Sequence, residues 1–321
     1  MPTIAVDAMG GDHAPDEVVK GAALVSTTTE IETLLVGDEM RLQAILDRVP
    51  YDPEHIAIAG ARASGVEDAI RAVADGRADA IVSAGGAEAA IVVAAKHLSL
   101  LSGVKRPVLA SVHPRQIEHE GQDRLALLVD AGATVRCDAD ELVQLALMAN
   151  AWARGVSKVA EPRIGLLNMR ADETTGGPVL AETHRRLRQH PRLHFVGNVT
   201  GDELVRGKAD AVVCEGLLGS VAASLLRGMS ETVAGLARAA AEQRLVWRVG
   251  LRLLSQGVER VQALTDYARY GGAPILGFER VVVVCHAQAD ARAIANAIKV
   301  AAKAVRDRVP DEMRDALGRG R

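Results

Sequence analysis

Short apolar runs alternate with longer helical patterns along most of the chain. The runs are rich in β-branched or small apolar residues, and the predicted strands are Thr3–Ala8, Thr33–Val36, His55–Ala59, Asp79–Ser83, Val108–Val112, Leu125–Val129, Arg163–Asn168, Leu193–Val196, Ala211–Cys214 and Val281–Cys285. Such alternation favours parallel strands joined by crossover helices. Residues 281–284 are all valine, which is typical of a strand covered by helices on both faces. The pattern predicts an α/β fold with a doubly wound sheet.

The strand pattern stops between Ala222 and Arg269, where apolar residues recur at helix spacing. The two predicted helical stretches carry Leu225, Leu226, Met229, Val233 and Leu236, then Leu251, Leu254, Val258, Val261 and Leu264. We predict a helical hairpin, residues 222–269, inserted late in the sheet. A chain of 321 residues can build two lobes, so we expect one two-lobed unit over residues 1–321.

An unusually dense apolar belt occurs in the second half of this hairpin, around Trp247, Leu251 and Leu254, with arginines beside it. The simplest interpretation is a solvated helix pair packed on the core or on a partner subunit. The belt also suits an acyl chain or a membrane surface. We expect weak, salt-sensitive contact with anionic membranes.

Composition and charge narrow the function. Hydrophobic residues make up 49% and charged residues 25% of the chain, as in ordinary globular proteins. A net charge of −3 and an aromatic content of 2% argue against nucleic acid as a partner. The three cysteines are scattered, so we predict no disulfide framework and a reducing, cytoplasmic environment. No signal peptide is evident.

A glycine turn at residues 7–15 follows the first predicted strand and leads into a helix. Gly10 and Gly11 would let backbone N–H groups approach a ligand at the carboxyl end of the strand. Asp12 and His13 would then point into a cleft. The alternative is a tight turn followed by ordinary helix-start residues.

The segment Ser83–Gly86 repeats this arrangement after another predicted strand and opens a helix. Ser83 and Gly85 are therefore candidate anion ligands. Glu88 lies in the first helical turn, where it would satisfy the helix dipole and repel phosphate. A purely structural turn is equally compatible with the sequence.

Further polar or glycine residues follow other predicted strands: Asn168, Asn198, Gly216 and His286. Because ligands bind at the carboxyl edge of such sheets, this placement predicts a cleft without fixing its chemistry. Histidines 113, 119, 184, 190 and 194 occupy polar stretches typical of solvated surface. Motifs for nucleotide loops, zinc hydrolysis and a nucleophile elbow are missing from the sequence, so we predict no metal and no cofactor.

Six segments together resemble the bacterial phosphate acyltransferases of phospholipid synthesis. They are DAMGGDHAP at 7–15, RPVLA at 106–110, PRIGLLN at 162–168, FVGN at 195–198, DAVVCEG at 210–216 and YGGAPILG at 270–277. The resemblance implies an isopropylmalate-dehydrogenase-like fold and a homodimer loosely attached to the inner membrane surface. It also implies acyl transfer from acyl-carrier protein to inorganic phosphate.

Several positions depart from that family's pattern, namely Gly86, Ala87, Glu88, Thr175 and Ser220. Thr175 stands where the family has a lysine suited to phosphate. Three hypotheses follow. The first is acyl transfer with His286 polarising the substrate or moving a proton and Gly10 and Gly11 donating backbone hydrogen bonds. The second is a catalytically silent paralogue that binds an acyl chain, the carrier protein or a partner enzyme; an enzyme with a changed substrate is a third.

Overall fold

The computed structural model describes residues 1–62, 64–116, 125–243 and 271–318. Its strands are β1 (Thr3–Asp7), β2 (Glu32–Gly37), β3 (Ile56–Gly60), β4 (Ala80–Ser83), β5 (Val108–Pro114), β6 (Leu125–Val129), β7 (Arg163–Leu167), β8 (His194–Val199), β9 (Ala211–Val213), β10 (Ala273–Leu276) and β11 (Val281–Val284). Its helices are α1 (Asp16–Thr28), α2 (Glu39–Leu46), α3 (Gly65–Ala74), α4 (Ala87–His97), α5 (Ala139–Gly155), α6 (Pro178–Gln189), α7 (Gly201–Arg206), α8 (Gly216–Gln243), α9 (Ala291–Arg306) and α10 (Val309–Gly318).

The strands form one sheet in the order β3-β2-β1-β4-β11-β10-β5-β6-β9-β7-β8. Strand β10 runs antiparallel to both β11 and β5, and β5 runs antiparallel to β6. The other pairings are parallel. The prediction of a mostly parallel α/β sheet is confirmed. Because of the three reversals, β6 to β9 run opposite to β1 to β4.

Helices cover both faces of the sheet. On the first face, α1, α5 and α9 pack with α2, α6 and α10 into the largest core cluster. On the second face, α3 and α4 cover one half of the sheet, while α7 and α8 cover the other half. Alternate strand residues divide between these layers, as Val6 and Ala5 do in β1. The doubly wound arrangement follows directly from that alternation.

The predicted strands all occur, with bounds shifted by a few residues, but β10 was not predicted. The first hairpin helix begins at Gly216, six residues before the predicted start at Ala222. The second hairpin stretch, with Trp247, Leu251 and Leu254, lies outside the described residues. No helix in the described ranges combines the length and apolar character needed to cross a bilayer.

Candidate functional site

Two clefts meet at the glycine turn between β4 and α4. The central cleft, of about 700 Å3, has a floor of β5 and β10 residues and lies between this turn, the loop after β11 and helix α8. The side cleft, of about 570 Å3, lies at the carboxyl ends of β1 to β4. Gly85 and Gly86 line both clefts. The turn is therefore the ridge that separates them.

Asp7 holds the two glycine turns together. Its buried carboxylate accepts a 2.7 Å hydrogen bond from the Ser83 hydroxyl and a 3.2 Å bond from the Met9 N–H. The Ser83 oxygen in turn accepts a 3.0 Å bond from the Gly85 N–H. Burial raises the pKa of Asp7, while the hydrogen bonds from Ser83, Met9 and Gly10 oppose that rise. Ser83 is only 1% exposed, so its hydroxyl stabilises the turn by hydrogen bonds to Asp7 and Gly85.

The turn after β1 lies beside the loop after β11. The Asp12 N–H donates a 2.7 Å hydrogen bond to the Ala287 carbonyl. Gly11 has a φ of 104°, and a Cβ there would lie 3.0 Å from the same oxygen. Gly10 lines the side cleft, while the Asp12 and His13 side chains are exposed. The structure thus brings Gly10 to the ridge between the clefts and places Asp12 and His13 at the outer surface.

His286, on the loop after β11, and Arg227, on α8, both line the central cleft. Both side chains are exposed. Arg227 is the one lysine or arginine that lines this cleft within the described chain. The nearby Asp290 carboxylate is occupied as the cap of α9, accepting 2.8 Å from the Ala293 N–H. The Arg227 guanidinium therefore gives the cleft one permanent positive charge for an anionic ligand.

Sequence reasoning missed Arg227, although a signal for it exists. Ser220, Ser224 and Arg227 recur at helix spacing on α8, and all three line the central cleft. On the sequence this polar stripe is obscured by the exposed apolar residues on the same helix. Only the position of α8 beside β5 and β6 identifies the stripe as a wall of a cleft.

Two buried groups line the central cleft. Burial raises the pKa of the Cys285 thiol to about 12. His113 is 4% exposed, and neither ring nitrogen has a hydrogen-bond partner of standard geometry. Burial lowers its pKa to about 4, against a smaller opposing effect of the Leu204 backbone. The prediction of a solvated surface was thus wrong for His113, and also for His184, whose ring lies beside Asn198.

Asn168, Asn198 and Gly216 do not line either cleft. Asn168 donates a 2.8 Å bond to the Thr175 carbonyl, and Asn198 donates to the loop between β7 and α6. A Cβ on buried Gly216 would lie 2.6 Å from the Asp130 carboxylate. The expectation of one shared carboxyl edge is wrong for these residues, because β7, β8 and β9 run opposite to β1 and β4.

The positions that depart from the predicted family pattern fall in three places. Gly86, Ala87 and Ser220 line the central cleft. Glu88 is exposed and does not line it. Thr175 lies in the loop between β7 and α6, where its hydroxyl donates to Asp172. Among the described residues, no group of acidic, histidine and cysteine side chains is arranged to hold a metal ion.

This fold is shared with phosphotransacylases. A branched-chain phosphotransacylase from Enterococcus faecalis superposes with a TM-score of 0.60 at 16% identity, covering 95% of this chain and 99% of that one. A phosphotransacetylase from Streptococcus pyogenes gives a TM-score of 0.64 at 14% identity, covering 95% and 94%. At such low identity the likeness shows the fold alone.

The sequence comparisons identify the family. Residues 2–312 match the family described as "Fatty acid synthesis protein", and the chain belongs to it. The chain is 34% identical over 331 residues to a phosphate acyltransferase of Nitratidesulfovibrio vulgaris, which covers 98% of this chain and 94% of that protein. A phosphate acyltransferase of Pelotomaculum thermopropionicum is 35% identical over 330 residues, with the same coverage. The resemblance expected from the motifs is confirmed.

Proposed function

We propose that this protein transfers a fatty acyl group from a carrier thioester to inorganic phosphate, giving acyl phosphate. The observation that carries the proposal is the central cleft, which is lined by Arg227, by His286 and by the glycine turn. This cleft belongs to a chain that aligns over 98% of its length with a phosphate acyltransferase. As the carrier of the thioester we propose acyl-carrier protein.

Arg227 supplies the charge that a phosphate substrate needs. The family's lysine position is occupied by Thr175, which lies outside the cleft. Arg227 instead brings a guanidinium to the cleft from α8, and Gly86 and Ala87, at the start of α4, line the same cleft. Guanidinium and helix N-termini both suit phosphate oxygens. This arrangement favours phosphate binding between α8 and the start of α4.

Transfer proceeds without a covalent intermediate on the protein. The Cys285 thiol has a pKa of about 12 and stays protonated near neutral pH. The Ser83 hydroxyl already donates to Asp7. A phosphate oxygen therefore attacks the thioester carbonyl directly. The new C–O bond forms as the carbonyl π bond opens to a tetrahedral intermediate, and the C–S bond breaks when that intermediate collapses. We assign to His286, which lines the cleft, the transfer of the proton from the attacking hydrogen phosphate to the departing thiolate.

The silent paralogue is the rival hypothesis, and the comparisons do not favour it. The two relatives described above are named as phosphate acyltransferases and align across nearly the whole chain. The replaced positions leave the cleft with Arg227 as a cation of its own. An assay for turnover separates the two hypotheses directly.

Homodimer formation through α8 is part of the proposal. One side of this helix carries large apolar residues that are each at least 41% exposed in the single chain: Leu217, Leu218, Val221, Leu225, Met229, Val233 and Leu236. An apolar stripe of this length is typical of an interface. We further propose a cytoplasmic protein whose Trp247, Leu251 and Leu254 contact anionic membranes weakly, which vesicle flotation at low and high salt tests.

The decisive assay uses purified protein, an acyl-carrier-protein thioester and phosphate, and scores acyl phosphate and free thiol. Arg227→Gln removes a charge-assisted hydrogen bond, which predicts a phosphate KM about tenfold or more higher. The thioester KM should change less than about twofold. Arg206→Gln, an exposed arginine on α7 paired with Asp202 at 3.6 Å, is the matched control. The proposal is contradicted if thiol is released without formation of acyl phosphate, or if no thiol is released.

A further inference from the structure

A second, mainly apolar cavity lies on the opposite side of the sheet from the central cleft. This rear pocket has a volume of about 210 Å3. Its apolar lining comes from β5, β6, α5 and α9 and from the loop that follows α5: Val112, Leu125, Leu127, Trp152, Ala153, Val156, Val159 and Val300. Trp152 is only 4% exposed. None of the residues proposed above to bind phosphate or move a proton lines this space.

The two charged residues that border the rear pocket are engaged with other groups. Asp210 forms ion pairs with Arg115 and Arg163. Lys303 donates its ammonium hydrogen to the Val156 carbonyl. Neither charge depends on a ligand in the pocket for a partner. The space therefore suits a neutral, apolar occupant.

The hydrogen-bond ladder between β10 and β5 stops between the two cavities. Strand β10 pairs with β5 only at Ile275 with Leu109 and at Leu276 with Val108. Pro274 has no N–H with which to continue the ladder. Gly272, with a φ of 87°, leads the chain into β10. From residue 110 onward, the β10-facing edge of β5 therefore has no described strand partner, although β5 still pairs with β6.

Both cavities share lining residues where this ladder stops. Val112 and Gly272 line the central cleft and the rear pocket alike. Val112 alternates with Ser111 and His113 along β5, so its side chain belongs to the first face of the sheet. The central cleft also reaches Ala293 of α9, a helix of that same face. The central cleft and the rear pocket thus adjoin at Val112 and Gly272.

We propose that the rear pocket holds the acyl chain of the substrate, which passes from the central cleft between β5 and β10. This proposal rests on the proposed acyl transfer and assigns the determinant of chain length. A cavity of about 150 Å3 accommodates the six carbons of benzene. By the same ratio, the 210 Å3 of the rear pocket takes about eight methylene carbons.

The first test is a chain-length profile. Val156→Phe fills the rear pocket, and Val143→Phe is the matched control, because both valines are half-buried against the same core and only Val156 lines the pocket. For Val156→Phe we expect kcat/KM to fall about tenfold or more with a hexadecanoyl thioester. With a butanoyl thioester it should change less than about twofold. A folded Val156→Phe protein with the chain-length profile of the control would overturn the proposal.

The second test is independent of turnover and uses the two tryptophans of the chain, Trp152 and Trp247. A dodecanoate brominated at its terminal carbon should quench the fluorescence of a Trp247→Phe protein, in which Trp152 remains, and adding Val156→Phe should abolish the quenching. If the bromine quenches only a Trp152→Phe protein, in which Trp247 remains, or quenches neither single-tryptophan protein, the rear pocket is refuted as the site of the acyl chain. Quenching of Trp152 in a protein that forms no acyl phosphate leaves the pocket standing and rejects the proposed reaction.

Discussion

Replacing Gly10 by alanine tests how tightly the glycine turn is held against Asp7. A Cβ at this position would lie 2.4 Å from the Asp7 Oδ2 atom and 2.9 Å from the Gly85 nitrogen. The carboxylate cannot move freely, since the Ser83 hydroxyl donates to it at 2.7 Å. Alanine must therefore displace either the turn or the buried carboxylate.

The size of the effect follows from these contacts. Overpacking a fixed site costs about 1–3 kcal/mol, and weakening a hydrogen bond to a buried charged group costs about 1.5–3 kcal/mol. The two costs overlap, so we expect the free energy of unfolding to fall by about 3 kcal/mol for Gly10→Ala. Gly86→Ala is the matched control, because a Cβ on Gly86 meets nothing within 4 Å.

For Gly86→Ala two small effects oppose each other. Alanine restricts the unfolded chain, which stabilises by about 0.4–1 kcal/mol, but Gly86 is the N-cap of α4, where alanine is disfavoured by a similar amount. The net change should stay within about 0.5 kcal/mol. Urea unfolding of both variants followed by circular dichroism measures the difference. If the free energies of unfolding of Gly10→Ala and Gly86→Ala agree within about 0.5 kcal/mol, the conclusion that the Asp7 carboxylate is held in place is refuted.

Because burial lowers the pKa of His113 to about 4, the stability it contributes above pH 6.5 should be lost as the pH falls towards 4, by up to about 3 kcal/mol. Urea unfolding of the parent and of His113→Leu across this range should diverge, and parallel curves would contradict the assignment. Asp210→Asn should cost about 3–5 kcal/mol, because the Arg115 side chain, 1% exposed, loses its carboxylate; Asp202→Asn, at an exposed carboxylate, should cost less than about 1 kcal/mol. Met229→Glu should convert a dimer into monomers in light scattering, and an unchanged mass would exclude α8 as the interface.

Most of the sheet was predictable because its strands are buried on both faces and therefore read as continuous apolar runs, as residues 281–284 do. Strand β10 escaped prediction for the opposite reason. Its four residues, Ala273–Leu276, include Pro274 and follow two glycines, which locally favours a turn. Its pairing with β11 and β5 is set by tertiary structure.

The candidate site was predicted less completely. The rule that strand ends share one edge holds for Ser83 and His286, which follow the parallel strands β4 and β11. It failed for Asn168 and Asn198 because antiparallel pairings turn half of the sheet around. The burial of His113 was equally hidden, since polar neighbours in sequence do not report which helix covers a side chain.

The position of β10 and β11 in the sheet has a consequence for the order of folding. Both strands come late in the chain, yet they lie in the middle of the sheet, between β4 and β5. During synthesis, β4 and β5 therefore emerge long before the strands that join them, and the two halves must wait for the carboxyl-terminal residues. A ribosome-bound chain ending after α8 would carry two unpaired strand edges at its centre. Nascent chains of this protein should be prone to aggregation until β11 has left the ribosome.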